Sequence, residues 1–87
     1  MQTHPNKQPI VWLRLSDLIQ QRRRGRSSLY RDVAQGLLPP PVRVAANTSA
    51  WPAHELGEID KARLAGADDE AIRALVANLV AARKVAA

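Results

Sequence analysis

The run Pro39-Pro40-Pro41 restricts the fold of this chain more than any other feature. Proline lacks a backbone N–H and has a fixed φ, so three in a row exclude a helix and impose an extended path. After the prolines, residues 42–44 alternate in character as a strand does, residues 47–49 have turn composition, and residues 50–51 begin a return strand. The sequence therefore predicts a small β-hairpin directly after an obligatory break in helical structure.

Two short helices are predicted before the prolines. The first covers about residues 16–22, with Ser16 as its N-cap. A basic run over residues 22–26 interrupts it, and the second helix lies between the N-cap Ser27 and the stop at Gly36. This order of helix, basic turn and short helix is typical of a helix-turn-helix.

Two further helices are predicted after the hairpin. The third covers about residues 54–65 and ends before Gly66, and the fourth begins at the N-cap Asp68 and ends near Lys84. An apolar stripe with helical spacing runs along the fourth helix and consists of Ile72, Leu75, Val76, Leu79 and Val80. Because such a stripe needs a cover, it packs either on its own domain or on another subunit.

The predicted fold class is mainly α with a small β-hairpin, in the form of a winged helix-turn-helix plus an extra C-terminal helix. The expected parts are a flexible N-terminal arm over residues 1–9, the winged helix-turn-helix over 10–66 and the C-terminal amphipathic helix over 67–87. Residues 10–13 are either a brief strand or a lead-in to the first helix. A chain of 87 residues supports one modest core, and both tryptophans are expected to lie in it.

The charge of the chain is concentrated in one segment. The net charge is +5, and residues 14–43 alone contain seven arginines against two acids. In the rest of the chain the bases and acids cancel. A positive charge gathered in this way predicts a polyanionic partner such as nucleic acid.

Three neighbouring groups of polar residues form the candidate DNA site. The basic turn consists of Arg22, Arg23, Arg24 and Arg26. The outer face of the second helix consists of Ser27, Ser28, Arg31 and Gln35. The hairpin contributes Arg43, Asn47 and Thr48.

Each group has a chemistry that suits DNA. Guanidinium groups in the turn can bind phosphates bidentately. Arginine, glutamine and serine on a helix read base edges in the major groove, and the hairpin residues suit the sugar–phosphate backbone or the minor groove. The alternative for every group is ordinary solvated surface, and Asp32 on the same helix either holds Arg31 or accepts from a cytosine.

Nothing in the sequence predicts an enzyme, a metal or a cofactor. Cysteine is absent, His4 and His54 lie far apart, and there is no glycine-rich phosphate cradle. No apolar run approaches the ~20 residues that span a bilayer, and the N-terminus lacks a hydrophobic signal core. The expected location is the bacterial cytoplasm, on the nucleoid and away from membranes.

Several segments resemble the AlpA-like family of small phage-type helix-turn-helix regulators. The matching residues are Arg14-Leu-Ser-Asp-Leu18, Ser27-Ser-Leu-Tyr-Arg31, Gly36-Leu-Leu-Pro39, Pro41-Val42 and Ala50-Trp51. The resemblance spans about residues 14–59 and implies a MerR-like winged helix that binds double-stranded DNA. It also implies that the recognition helix carries Ser27, Ser28, Tyr30 and Arg31.

The chain departs from the pattern of that family at three places. Arg23 and Arg24 stand where the family has glycine and an apolar residue, Asn47 stands where the wing has a base, and Ile59 replaces a tryptophan. The turn is therefore expected to be reshaped and directed more strongly at phosphates.

The predicted function is sequence-specific binding of double-stranded DNA by a protein of a mobile element. As the resemblance implies, it acts as an excisionase (a recombination directionality factor), as a transcription regulator, or as both. The expected partners are duplex DNA, further copies of the chain bound cooperatively along it, and an integrase. Two alternatives stay open: an adaptor or antitoxin-like module acting through the C-terminal helix, and an RNA-binding protein that uses the arginine cluster.

Overall fold

A computed structural model describes residues 9–85 of the chain. Within that range the elements follow the order β1 (Trp12–Leu13), α1 (Leu15–Arg22), α2 (Arg26–Ala34), β2 (Val42–Ala45), β3 (Thr48–Pro52), α3 (Ala53–Leu64) and α4 (Asp69–Val85). The prediction of a mainly helical chain with a small antiparallel hairpin is confirmed. None of the helices in this part of the chain is long and apolar enough to cross a membrane. The predicted flexible arm lies, apart from Pro9, outside the described residues.

β3 is the central strand of an antiparallel sheet with the order β1-β3-β2. Leu13 of β1 pairs with Trp51, and Val42 of β2 pairs with Ala50. The apolar segment before α1 therefore includes a short strand that adds to the hairpin. This third strand joins the start of the chain to the segment after the prolines.

The hairpin turns earlier than the sequence predicted. Its two-residue turn is at Ala46 and Asn47 and β3 already begins at Thr48, so a turn over residues 47–49 and a return strand from Ala50 are wrong. Asn47 adopts a left-handed backbone with φ 61°, which asparagine tolerates better than most residues. A β-bulge in β2 accommodates the resulting change of register.

The helices lie within two residues of their predicted positions, and the first two begin earlier than predicted. The predicted N-caps Ser16 and Ser27 are wrong, because both lie inside the first turn of their helices, and Arg14 and Gly25 take the cap positions. The carboxylate of Asp17 accepts the backbone N–H of Arg14 at 2.8 Å. This bond starts α1 one residue before the expected cap.

The predicted ends of α2 and α3, and the predicted start of α4, are confirmed. Gly36 and Gly66 have φ of 77° and 99° after their helices, and the backbone hydrogen bonds at both form a Schellman motif. The carboxylate of Asp68 accepts the N–H of Ala71 at 2.9 Å and so caps α4. These are local signals that act within a few residues.

The core beneath the sheet is built around Trp51. Its buried members are Leu18, Leu29, Leu38, Trp51 and Leu56. The indole of Trp51 is 1% exposed and donates its Nε1–H to the Pro39 carbonyl at 2.7 Å. Burial of an indole requires such an acceptor, so the proline segment holds the tryptophan in place.

Trp12 does not belong to the core, and the prediction that it does is wrong. Its side chain is 41% exposed. Strand neighbours alternate between the faces of a sheet, and Leu13 pairs with the buried Trp51. Leu13 therefore faces the core, while Trp12 lies on the opposite face of an edge strand.

The apolar stripe of α4 packs on α3 of the same chain. Ile72 and Val76 are buried against Ile59, and the other stripe residues are partly buried beside them. This decides between the two covers that the sequence left open. The contact forms a second core cluster, separate from the one around Trp51.

A buried ion pair fastens the end of α4 to the rest of the fold. Glu55 is 2% exposed and accepts two hydrogen bonds from the Arg83 guanidinium, at 2.6 and 2.9 Å. The same guanidinium donates to the Pro40 carbonyl at 2.8 Å. A carboxylate this deeply buried needs its cation and its hydrogen bonds.

We therefore predict that Arg83→Ala lowers the free energy of unfolding by about 3 kcal/mol, because Glu55 is left buried without a cation. The control is Arg63→Ala, which breaks an exposed pair with Asp69 and lowers the free energy of unfolding by less than about 1 kcal/mol. Urea denaturation of both variants measures the difference. Equal losses in the two variants contradict a special role for the Arg83 pair.

Candidate nucleic-acid interface

The turn between α1 and α2 is shaped by Arg23. Its backbone is left-handed, with φ 57° and ψ 41°, and its N–H donates to the Ile19 carbonyl at 2.9 Å, which ends α1. Glycine is the usual residue at such a position. Gly25 instead has φ −76°, a conformation that any residue adopts. The strained left-handed conformation therefore falls on Arg23 and not on the nearby Gly25.

Two of the four arginines of the turn are held by acids of the same chain. Arg22 forms a bidentate pair with Asp60 of α3, at 3.0 and 3.2 Å. Arg24 lies 2.8 Å from Asp32 of α2. Arg23 and Arg26 are exposed and form no ion pair within residues 9–85. The turn therefore presents two unpaired guanidinium groups where the sequence predicted four.

A polar cavity of about 320 Å³ lies behind the turn. Both ion pairs line it, together with Leu29 and Ile59 from the apolar side. The Arg22 Nε atom is buried and has no hydrogen-bond partner in the described part of the chain. The Arg22 side chain is thus drawn inward, toward α3, and not outward from the turn.

The exposed face of α2 agrees only in part with the predicted one. The exposed residues of α2 and its C-cap are Arg26, Ser27, Tyr30, Arg31, Ala34 and Gln35. Ser28 is half-buried, and Asp32 bonds to Arg24 where the sequence had suggested Arg31. Leu29 points into the core, and Arg31 lies on the exposed face, nearly opposite Leu29 around the helix.

A shallow groove brings residues from three separate segments together. Arg26 and Tyr30 of α2 line it, with Asn47 and Ser49 of the hairpin and Arg14 from the start of α1. Tyr30 is 43% exposed, and its ring centre lies 6.2 Å from that of Trp51. The groove has a volume of about 730 Å³ and opens to solvent. One predicted residue each from the turn, the helix and the hairpin therefore meets the others here.

The other two hairpin residues of the predicted site differ in role. Arg43 is exposed and stands directly opposite Ser49 in the sheet. Paired residues project from the same face, so Arg43 lies on the groove side. Thr48 is half-buried, and its hydroxyl donates to the Ala46 carbonyl at 3.4 Å within the turn. Thr48 therefore shapes the hairpin tip.

Arg14 is the residue that reasoning from the sequence missed. It entered only as the first residue of a family resemblance, yet it borders the groove opposite the hairpin turn. Its backbone is fixed by the bond to Asp17. A basic residue directly before a helix is the signal that could have pointed to it.

Basic and acidic residues are distributed unevenly between the two halves of the described chain. Residues 9–52 contain the three strands, α1 and α2. This segment has seven arginines and two acids. Residues 53–85, which form α3 and α4, contain five bases and six acids. The groove and the exposed face of α2 therefore belong to the basic part of the molecule.

Comparison with protein-family models, curated proteins and solved structures found no match to this chain. The AlpA-like resemblance stays a prediction. Function is therefore argued from the geometry of the groove, the turn and α2.

The left-handed Arg23 yields a prediction that does not depend on function. Arg23→Gly should raise the free energy of unfolding by about 1 kcal/mol, because a left-handed backbone disfavours every residue with a Cβ. The control Arg23→Ala removes the same charge but keeps the strain, so it should not give this gain. Thermal and urea unfolding compare the two. An equal change in both would assign the effect to charge and not to the backbone.

Proposed function

We propose that this chain is a winged helix-turn-helix protein that binds double-stranded DNA sequence-specifically. In this proposal α2 enters the major groove and the β2–β3 hairpin is the wing. The observation that carries it is the groove in which Arg26 and Tyr30 of α2 meet Asn47 of the hairpin turn. A helix face and a hairpin tip on one basic surface are what a duplex contacts when it is bound by a winged helix.

The dimensions of α2 suit this role. An α-helix with its side chains is about 10–12 Å across, and the major groove is about 12 Å wide. Arg31 is the exposed arginine in the middle of the α2 sequence, and in this proposal it reaches guanine edges. Arg23, which ends α1, and Arg26, which begins α2, are both exposed, and in this proposal they bind phosphates.

The biological role follows from the resemblance and not from the geometry. We infer a mobile-element protein of the bacterial cytoplasm that acts as an excisionase, a transcription regulator or both, with an integrase as a partner. One module of this size buries only ~600–1,000 Å² on DNA. Cooperative binding of several copies along the duplex therefore belongs to the proposal.

The adaptor alternative loses its main support. It depended on an uncovered apolar stripe on α4, and that stripe packs on α3. The RNA alternative has little support in the groove, where Tyr30 is the one aromatic side chain among the described lining residues. Stacking on several aromatic rings is the usual basis of single-strand recognition.

We predict a salt dependence that distinguishes the arginines of the turn. Arg23→Ala with Arg26→Ala should lower the slope of log K against log salt by about 1.8, at about 0.9 per phosphate contact. The control Lys61→Ala with Arg63→Ala removes two charges from α3 and should leave the slope unchanged. Fluorescence anisotropy on labelled duplexes measures both. Equal slopes for the two double variants would show that the turn does not contact phosphates.

We predict a sequence-specific effect for Arg31. On a duplex selected from a randomised pool, Arg31→Ala should weaken binding by about 1–3 kcal/mol, with little effect on random duplex. Arg31→Lys keeps the charge but loses the bidentate geometry, so it should lose specificity while it retains random binding. The same loss on both duplexes would make Arg31 a phosphate contact. Tighter binding to single-stranded RNA than to any duplex would favour the RNA alternative.

A further inference from the structure

Two acids of the same chain hold arginines of the basic turn, Arg22 and Arg24. Asp60 belongs to α3 and holds Arg22 with both carboxylate oxygens. Asp32 belongs to α2, is 18% exposed, and holds Arg24 at 2.8 Å. The two pairs lie on the same cavity behind the turn. A carboxylate that binds a guanidinium in this way occupies the donors that a phosphate would use.

Stability alone does not explain the two pairs. In each pair one side chain is exposed and the other is half-buried: Asp60 is 60% and Arg22 20% exposed, and Arg24 is 44% and Asp32 18% exposed. Because each pair keeps one member in solvent, it stabilises the fold less than the buried pair of Glu55 and Arg83 does. The core around Leu18, Leu29 and Trp51 already fixes α1 and α2. The main consequence of the two ion pairs is electrostatic, because they determine which arginines of the turn are available to bind an anionic ligand.

That consequence bears on specificity. Binding to DNA of any sequence grows with the number of phosphates that the protein neutralises. Discrimination between sequences comes from contacts to base edges, which here means the exposed face of α2. Neutralising two of the four arginines in the turn therefore weakens random binding and leaves the contacts of Arg31 intact. Specificity is often obtained by weakening the wrong complex.

We propose that Asp32 and Asp60 are specificity-determining residues, which hold Arg24 and Arg22 back from phosphates and so limit binding to random DNA. The inference rests on the proposed function, since it concerns how the DNA interface is tuned. It assigns to two acids, one on α2 and one on α3, a role in DNA binding without contact to DNA.

The test uses isosteric variants that remove the two charges. Asp32→Asn and Asp60→Asn should each tighten binding to random duplex roughly eightfold at 0.1 M salt and steepen the salt slope by about 0.9. The double variant should steepen the slope by about 1.8. Binding to the selected duplex should tighten by a smaller factor, so the ratio of specific to random affinity should fall. An equal factor on both duplexes overturns the specificity role of the two acids.

Two controls separate this effect from a change in net charge. Asp69→Asn releases Arg63, which belongs to α3 and not to the turn, from an exposed pair and should leave the slope unchanged. Arg22→Ala in the Asp60→Asn background should return the slope to that of the wild type, because the released side chain is gone. Circular dichroism and thermal unfolding verify that each variant is folded.

The outcomes distinguish a failure of the proposed DNA binding from a failure of the proposed role of Asp32 and Asp60. If the wild type binds no duplex from the pool at low salt, the proposed function fails and this inference with it. If the wild type binds but the Asp32 and Asp60 variants keep its slope, the role of the two acids alone is overturned. An equal gain from Asp69→Asn also overturns it, since net charge then explains the result.

Discussion

Three consecutive prolines between α2 and β2 impose the constraint on which the rest of the structure depends. They have no N–H to donate, so this segment joins no helix, and the carbonyls of Pro39 and Pro40 accept from side chains. Pro39 accepts from the indole of Trp51, and Pro40 accepts from Arg83. One extended segment thereby connects the end of α2 with the sheet and with the end of α4.

α3 and α4 stabilise the first half of the chain by packing, and an acid on α3 also neutralises an arginine of the turn. α3 and α4 share a core around Ile59 and Ile72, and the pair of Glu55 and Arg83 closes it against the proline segment. From this support Asp60 reaches the turn and holds Arg22. Asp60 on α3 thus reduces the positive charge that the candidate DNA interface presents.

The sequence predicted the elements well because their signals are local. Glycines with positive φ end α2 and α3, and Asp68 caps α4. The prolines exclude a helix between α2 and β2. These signals act over one turn of helix. The wrong N-caps at Ser16 and Ser27 and the misplaced hairpin turn are errors of one or two residues in the position of a local signal. The other misplaced features, Trp12 in the core and Ser28 on the exposed face, depend on which side of an element meets a neighbour. Composition does not contain that information.

The sequence by itself determined where α2 and α3 end, where α4 begins, where the positive charge gathers, and which helix faces are apolar. Only the tertiary structure decided which charges stay unpaired and which partner covers α4. Arg22 and Asp60 are 38 residues apart in the chain, and their pairing depends on how α1 packs against α3. Helix and turn rules concern neighbours within about four residues. An ion pair between distant elements exists only once the core has brought those elements together.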